Sequence, residues 1–147
     1  MNSKSNKAEV AQSVHASLEW ITRAGLRPTK QRIKLAQFLV GDGKNKHITA
    51  ETLFELVKKN GVSISLATVY NNLKAFCEAG LISEVMMDGG KSYFDTRVDD
   101  HPHFFWEDTG KISDAPSELL QIKNLPRPPD KHKITKVDVI IRLKKSN

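Results

Sequence analysis

Residues 64–80 read Ile-Ser-Leu-Ala-Thr-Val-Tyr-Asn-Asn-Leu-Lys-Ala-Phe-Cys-Glu-Ala-Gly, and no other stretch constrains the fold as tightly. Leu66, Val69, Leu73 and Phe76 recur at steps of three, four and three, which puts them on one face of an α-helix. Ser65 stands where an N-cap belongs and Gly80 where a C-terminal stop belongs. The opposite face carries Thr68, Asn71, Asn72 and Lys74, with Tyr70 at its edge and no acidic residue before Glu78. A solvated surface helix ordinarily mixes Glu with Lys. A face of short donors and acceptors, cleared of negative charge, suits the DNA major groove, where Asn pairs with adenine and Thr meets the thymine methyl. An ordinary amphipathic helix shows the same apolar stripe, so the flanking sequence has to decide between the two.

The chain has 147 residues and a net charge of +6. Residues 1–97 hold 14 Lys/Arg against 9 Asp/Glu, and residues 98–147 hold 9 against 8, so the excess sits in the half with the polar helix face. That placement favours a polyanionic partner such as double-stranded DNA. No apolar run approaches a membrane span, and the first residues, Met-Asn-Ser-Lys-Ser-Asn-Lys, lack the apolar core of a signal peptide. A cytoplasmic protein without membrane contact is the expectation. The single cysteine, Cys77, excludes an internal disulfide and a Cys-rich zinc site. It follows Leu73 by four and reads as a small core residue.

Taken in order, residues 8–24 form a helix with Val14, Leu18 and Ile21 on one face, ended by Gly25. Thr29 caps a second helix carrying Ile33, Leu35, Ala36, Leu39 and Val40. Arg23, Arg27, Lys30, Arg32 and Lys34 lie within twelve residues with no acid between them, a pattern suited to backbone phosphates. After a polar loop closed by His47, Thr49 caps a third helix with Leu53, Phe54, Leu56 and Val57 inward. Residues 81–87 and 91–95 flank Asp88-Gly89-Gly90 as a β-hairpin. Helices, the last with a polar outer face, followed by a hairpin, make a winged helix-turn-helix. Beyond it, residues 101–106 read as a strand, 110–113 as a return strand, 116–123 as a short helix and 134–143 as a β-branched strand. Residues 125–129, Leu-Pro-Arg-Pro-Pro, admit no helix. Three strands in some fifty residues make a marginal core, for which pairing with a second copy is the remedy.

The resemblance rests on four segments in order: Gly25-Leu26-Arg27-Pro28-Thr29-Lys30-Gln31-Arg32, Leu66-Ala67-Thr68-Val69-Tyr70, Gly89-Gly90-Lys91-Ser92-Tyr93-Phe94, and the His101/His103 segment. Together they resemble the ferric-uptake-regulator (Fur) family of repressors over nearly the whole chain. Residues 101–105 and the tail resemble the iron response regulators (Irr) of alphaproteobacteria. The implied architecture is α+β: a winged helix-turn-helix DNA-binding domain at 1–96, then a small α/β dimerisation and sensing domain at 97–147. The implied protein is a homodimer that binds an operator and regulates iron or haem homeostasis genes, mainly as a repressor. Its DNA contacts would come from Arg27, Lys30, Arg32, Thr68, Tyr70, Asn71, Asn72 and Lys74, with Arg27 matching a minor-groove cation and Tyr70 a major-groove contact.

His47, Asp95, His101, His103 and Asp114 match the regulatory-metal positions of that family, its peroxide-sensing members included. In a strand, His101 and His103 at i and i+2 face one side. Three imidazoles and two carboxylates without a thiolate suit Fe²⁺ or Mn²⁺, with Zn²⁺ a competitor. Asp99, Asp100, Glu107 and Asp108 read as an acidic loop around the histidines. The resemblance also raises haem, with His101 and His103 as axial ligands. Two departures stand out. Trp106 and Thr109 occupy the positions of the family's first Cys-x-x-Cys pair, and Pro102 interrupts the run of histidines usual in the Irr branch. Two alternatives remain at this point: a peroxide- or manganese/zinc-responsive regulator of the same family, and a small metal-dependent hydrolase using His101, His103 and Asp95. The hydrolase has no nucleophile motif in its favour.

Overall fold

The computed structural model describes residues 3–147, with side chains from Ser13 onward. The chain divides into two compact units, Met1–Val98 and Asp99–Asn147.

The first unit is built from α1 (Ser3–Arg23), α2 (Lys30–Val40), β1 (His47–Ile48), α3 (Ala50–Lys59), α4 (Leu66–Glu78), β2 (Ser83–Met86) and β3 (Ser92–Asp95). Three of its helices begin in the same way. Thr29, Thr49 and Ser65 are extended, and each side-chain oxygen accepts the N–H three residues on, from Arg32, Thr52 and Thr68. Each cap satisfies a donor that the first helical turn leaves without a partner. The apolar stripes then meet: Ile21, Leu35, Leu39, Leu53, Val57, Val69, Leu73 and Phe76 are all fully buried. Trp20 packs edge-on against Phe76, with ring centroids 5.3 Å apart. Leu56, expected inward, is exposed instead, because Leu53 and Val57 already fill the inner face of α3.

After α4, Gly80 takes φ +76, a conformation that ends the helix and costs other residues dearly. The hairpin β2–β3 follows, with Val85 opposite Tyr93 and Gly89 in the left-handed region at its tip. The short strand β1 joins its outer edge, pairing His47 with Asp95 and Ile48 with Phe94. Periodicity gave no sign of β1, since two residues have no period. The helices and this three-stranded sheet are the winged helix-turn-helix that the sequence led us to expect.

The second unit is a three-stranded sheet in the order β5 (Lys111–Asp114), β4 (His103–Trp106), β6 (Ile140–Leu143). β4 and β5 form an antiparallel hairpin, and β6 runs parallel to β4. A parallel neighbour needs a long crossover, which residues 115–139 supply. The helix expected at 116–123 is reduced to a single 3-10 turn, Ser117–Leu119. Leu119 and Leu120 are both exposed, and so short a segment holds no helix without packing. The strand expected at 134–143 pairs only over Ile140–Leu143. Trp106 and Thr109 sit at the β4–β5 turn. There the Thr109 and Gly110 N–H groups donate to the Trp106 carbonyl, and Trp106 Nε1–H donates to Ser113 Oγ at 3.1 Å.

Candidate functional site

Two groups of residues could do chemistry or recognition in the first unit. One is the pair His47 and Asp95. Strand register sets them opposite each other, and His47 Nε2 lies 3.1 Å from Asp95 Oδ2. Asp95 is fully buried, and its other oxygen accepts the Arg97 N–H at 2.9 Å. A carboxylate taken out of water is tolerated only with such partners. Two hydrogen bonds between the adjoining residues help hold the pair: Lys46 N–H donates to Thr96 Oγ1, and Thr96 N–H donates to the Lys46 carbonyl.

The second unit carries the other three expected ligands. His103 opens β4 directly across from Asp114 at the end of β5. His101 lies just before the strand, not within it, since β4 starts at His103 and Pro102 is buried between the two. Even so, the two imidazoles come together, with centroids 4.4 Å apart. Their Nε2 atoms lie 2.8 Å and 3.6 Å from the same oxygen, Asp114 Oδ1. Ligand atoms of the three residues lie within 4.8 Å of one another.

The protonation of His101 follows from its other nitrogen. His101 Nδ1 is 2.6 Å from the Asp99 carbonyl oxygen, which can only accept, so Nδ1 carries a proton. In the neutral ring, Nε2 is then a lone pair aimed at a carboxylate oxygen 2.8 Å away. Two acceptors at that distance repel unless a proton or a cation lies between them. Fixing one imidazole nitrogen by a backbone carbonyl is also how ligating histidines are commonly oriented. The donor set of this unit therefore fits a divalent cation. Sequence reasoning missed the part of Asp99, because it acts through its backbone and not its carboxylate.

On α4, the polar face has an internal order that the sequence did not disclose. Tyr70 and Asn71 are exposed, as are Arg27 and Lys30. Tyr70 stands edge-on to Phe94 at 6.1 Å. Arg32 turns back into the unit: Nε donates to Asn72 Oδ1 at 3.0 Å and Nη1 to the Arg27 carbonyl at 3.1 Å. Asn72 in turn donates to the Thr68 carbonyl at 2.9 Å, so both ends of its amide are engaged. The Thr68 hydroxyl pairs with that of Ser65 at 2.8 Å. Lys74 Nζ lies 2.6 Å from Glu84 Oε2 on β2. This hydrogen bond raises the Lys74 ammonium above its ordinary pKa, partly opposed by burial.

Among the described residues, no helix is long and apolar enough to cross a membrane.

The sequence profile of the Ferric uptake regulator family matches residues 23–142 of the chain. The peroxide operon regulator of Bacillus subtilis (strain 168) is 36% identical over 104 residues, 71% of this chain and 70% of that protein. The solved ferric uptake regulator of Pseudomonas aeruginosa with manganese has the same fold, at TM-score 0.66 and 24% identity over 89% of this chain and 98% of that one. The ferric uptake regulator of Francisella tularensis with iron gives TM-score 0.63 at 18% identity, covering 82% of this chain and 92% of that one.

Proposed function

The chain belongs to the ferric uptake regulator family of DNA-binding transcription regulators, and from that premise we propose how it senses and binds. It acts as a homodimer on a double-stranded operator, mainly as a repressor, and a divalent metal held by His47, Asp95, His101, His103 and Asp114 controls its affinity. Family membership also removes the hydrolase alternative: the protein is a regulator and not an enzyme.

The observation that carries the metal reading is the pair of imidazole nitrogens sharing Asp114 Oδ1, with the Asp99 carbonyl holding the proton of His101 on the far nitrogen. A bound metal supplies the positive charge that joins these donors. The protein's own residues do the rest. Asp99 orients His101, the β4–β5 register sets His103 against Asp114, and the β1–β3 register sets His47 against Asp95. A metal held by these donors stabilises the state of the protein that binds it, which is a means of switching operator affinity.

Three imidazoles and two carboxylates favour Fe²⁺ or Mn²⁺, with Zn²⁺ competing. Manganese and iron accompany the two solved relatives named above. Haem asks only for one or two axial imidazoles, and a carboxylate seated on both Nε2 atoms favours a hard cation over it. The 36% identity to the Bacillus peroxide operon regulator supports peroxide as the signal, and iron status is the second reading, from the resemblance of residues 101–105 and the tail to the Irr branch.

For DNA, Tyr70 and Asn71 are the base-reading residues, and Arg27 and Lys30 the phosphate contacts, because these four are exposed. Dimerisation falls to the second unit. Leu119, Ile122, Leu125, Ile134 and Val137 are all exposed there, apolar side chains that a second copy would cover.

Titrating wild type, His101→Ala and Asp114→Ala with Mn²⁺ tests the sensor. Wild type should bind below about 100 μM, which corresponds to ~5.5 kcal/mol. His101→Ala should bind at least tenfold more weakly, and Asp114→Ala less so, since water replaces one ligand of five. Wild type without measurable Mn²⁺, Fe²⁺ or Zn²⁺ binding refutes the sensor.

A further inference from the structure

Glu84 lies on β2, outside every residue assigned above to metal or DNA, yet both of its carboxylate oxygens are engaged. Oε2 accepts from Lys74 Nζ at 2.6 Å, and Oε1 accepts from Ser92 Oγ at 2.7 Å. One side chain thus ties α4 to both strands of the hairpin. Glu84 is well shielded and Lys74 about half exposed, with side-chain exposures of 19% and 42%. The same ammonium lies 5.5 Å from the centre of the Tyr70 ring, whose edge meets Phe94 on β3.

We propose that Glu84 is a positioning and specificity-determining residue, which withholds the Lys74 charge from the DNA backbone and sets Lys74 against Tyr70. This rests on the reading of the Tyr70 face as the DNA surface. Lys74 is one helical turn beyond Tyr70, so its charge lies on that face. Left unpaired, it would reach phosphate and add affinity for every sequence alike. Held by Glu84, it contributes little to non-specific binding and stabilises the orientation of a side chain that reads bases. A negative charge beside a DNA-binding face otherwise works against binding. Selectivity is a difference of affinities, and suppressing the non-specific one is a direct route to it.

The test measures full-length protein on two 30-base-pair duplexes across a range of salt. One is enriched by wild type from a randomised library; the other has its sequence scrambled. Glu84→Gln keeps the size and removes the charge. It should steepen the salt slope on scrambled DNA by about 0.9, as one more phosphate is neutralised, and tighten that binding about eightfold at 0.1 M salt. Preference for the enriched duplex should fall accordingly. Glu84→Asp should restore the wild-type slope. In a Lys74→Met background, Glu84→Gln should no longer steepen the slope, whereas a merely structural role for Glu84 would give the same effect with or without Lys74. Lys74→Met alone should leave the slope at the wild-type value, and this arm needs no folded Glu84 variant. A Lys74→Met slope shallower by about 0.9 would show that Lys74 already contacts phosphate and would overturn the proposal. So would a Glu84→Gln slope parallel to wild type. Wild type that binds neither duplex refutes the DNA-surface reading itself, a distinct failure.

Discussion

Arg32 can be tested as a residue that holds α4 in place and does not itself contact DNA. Its place in a basic cluster suggested phosphate contact, but its guanidinium points back to Asn72 and the Arg27 carbonyl. Arg32→Met keeps the length of the stem and removes both hydrogen bonds. A hydrogen bond from a charged group contributes about 1.5–3 kcal/mol when well shielded. Arg32 is only half-buried, and water can replace it at the Asn72 carbonyl, so the net loss for the pair should be about 1–2 kcal/mol. Urea unfolding can read this in a Trp106→Phe background, where Trp20, packed on Phe76 in the core, is the sole reporter. The midpoint should fall with an unchanged m-value. On DNA, the salt slope should remain at the wild-type value while preference for the enriched duplex declines, because α4 loses its tether to α2. A slope shallower by about 0.9 with no loss of stability would refute this reasoning and return Arg32 to the phosphate contacts.

Other consequences can be checked independently. Asn71→Ala should lose about 1–3 kcal/mol on the enriched duplex and little on scrambled DNA, measured by fluorescence anisotropy. Ser65→Ala removes the cap of α4 and should cost about 1 kcal/mol in thermal unfolding. Ile134→Lys with Val137→Lys places charge on the exposed apolar surface of the second unit. Sedimentation should then find monomers at micromolar concentration with the fold intact by circular dichroism, and a wild type already monomeric under those conditions would contradict the homodimer.

How much of this could be read in the sequence differs element by element, and the differences have physical causes. α4 was legible because its cap, its apolar spacing and its glycine stop are all local signals. The hairpin was legible from its Gly-Gly turn. β1 was not, since its two residues become a strand only through their partners on β3. The crossover between β5 and β6 holds less helix and strand than its residues favour, because such short segments keep those forms only with something to pack on. The five metal positions came from family resemblance; neighbouring chain positions alone could not have joined His47 to Asp95, 48 residues on. Which polar residues of α4 face outward was hidden as well. Asn72 and Lys74 share its polar side, and partners distant in sequence, Arg32 and Glu84, engage them.

In the proposed mechanism, a divalent metal on the five-residue set governs operator affinity. The most direct measurement is the affinity of the metal-free wild type for the enriched duplex, without and then with Mn²⁺ at a hundredfold excess over its dissociation constant. His101→Ala is measured alongside, at constant ionic strength. Wild-type affinity should change tenfold or more on adding Mn²⁺, a coupling of about 1.4 kcal/mol, and the variant's should not change. Equal wild-type affinities with and without bound Mn²⁺ would contradict the account.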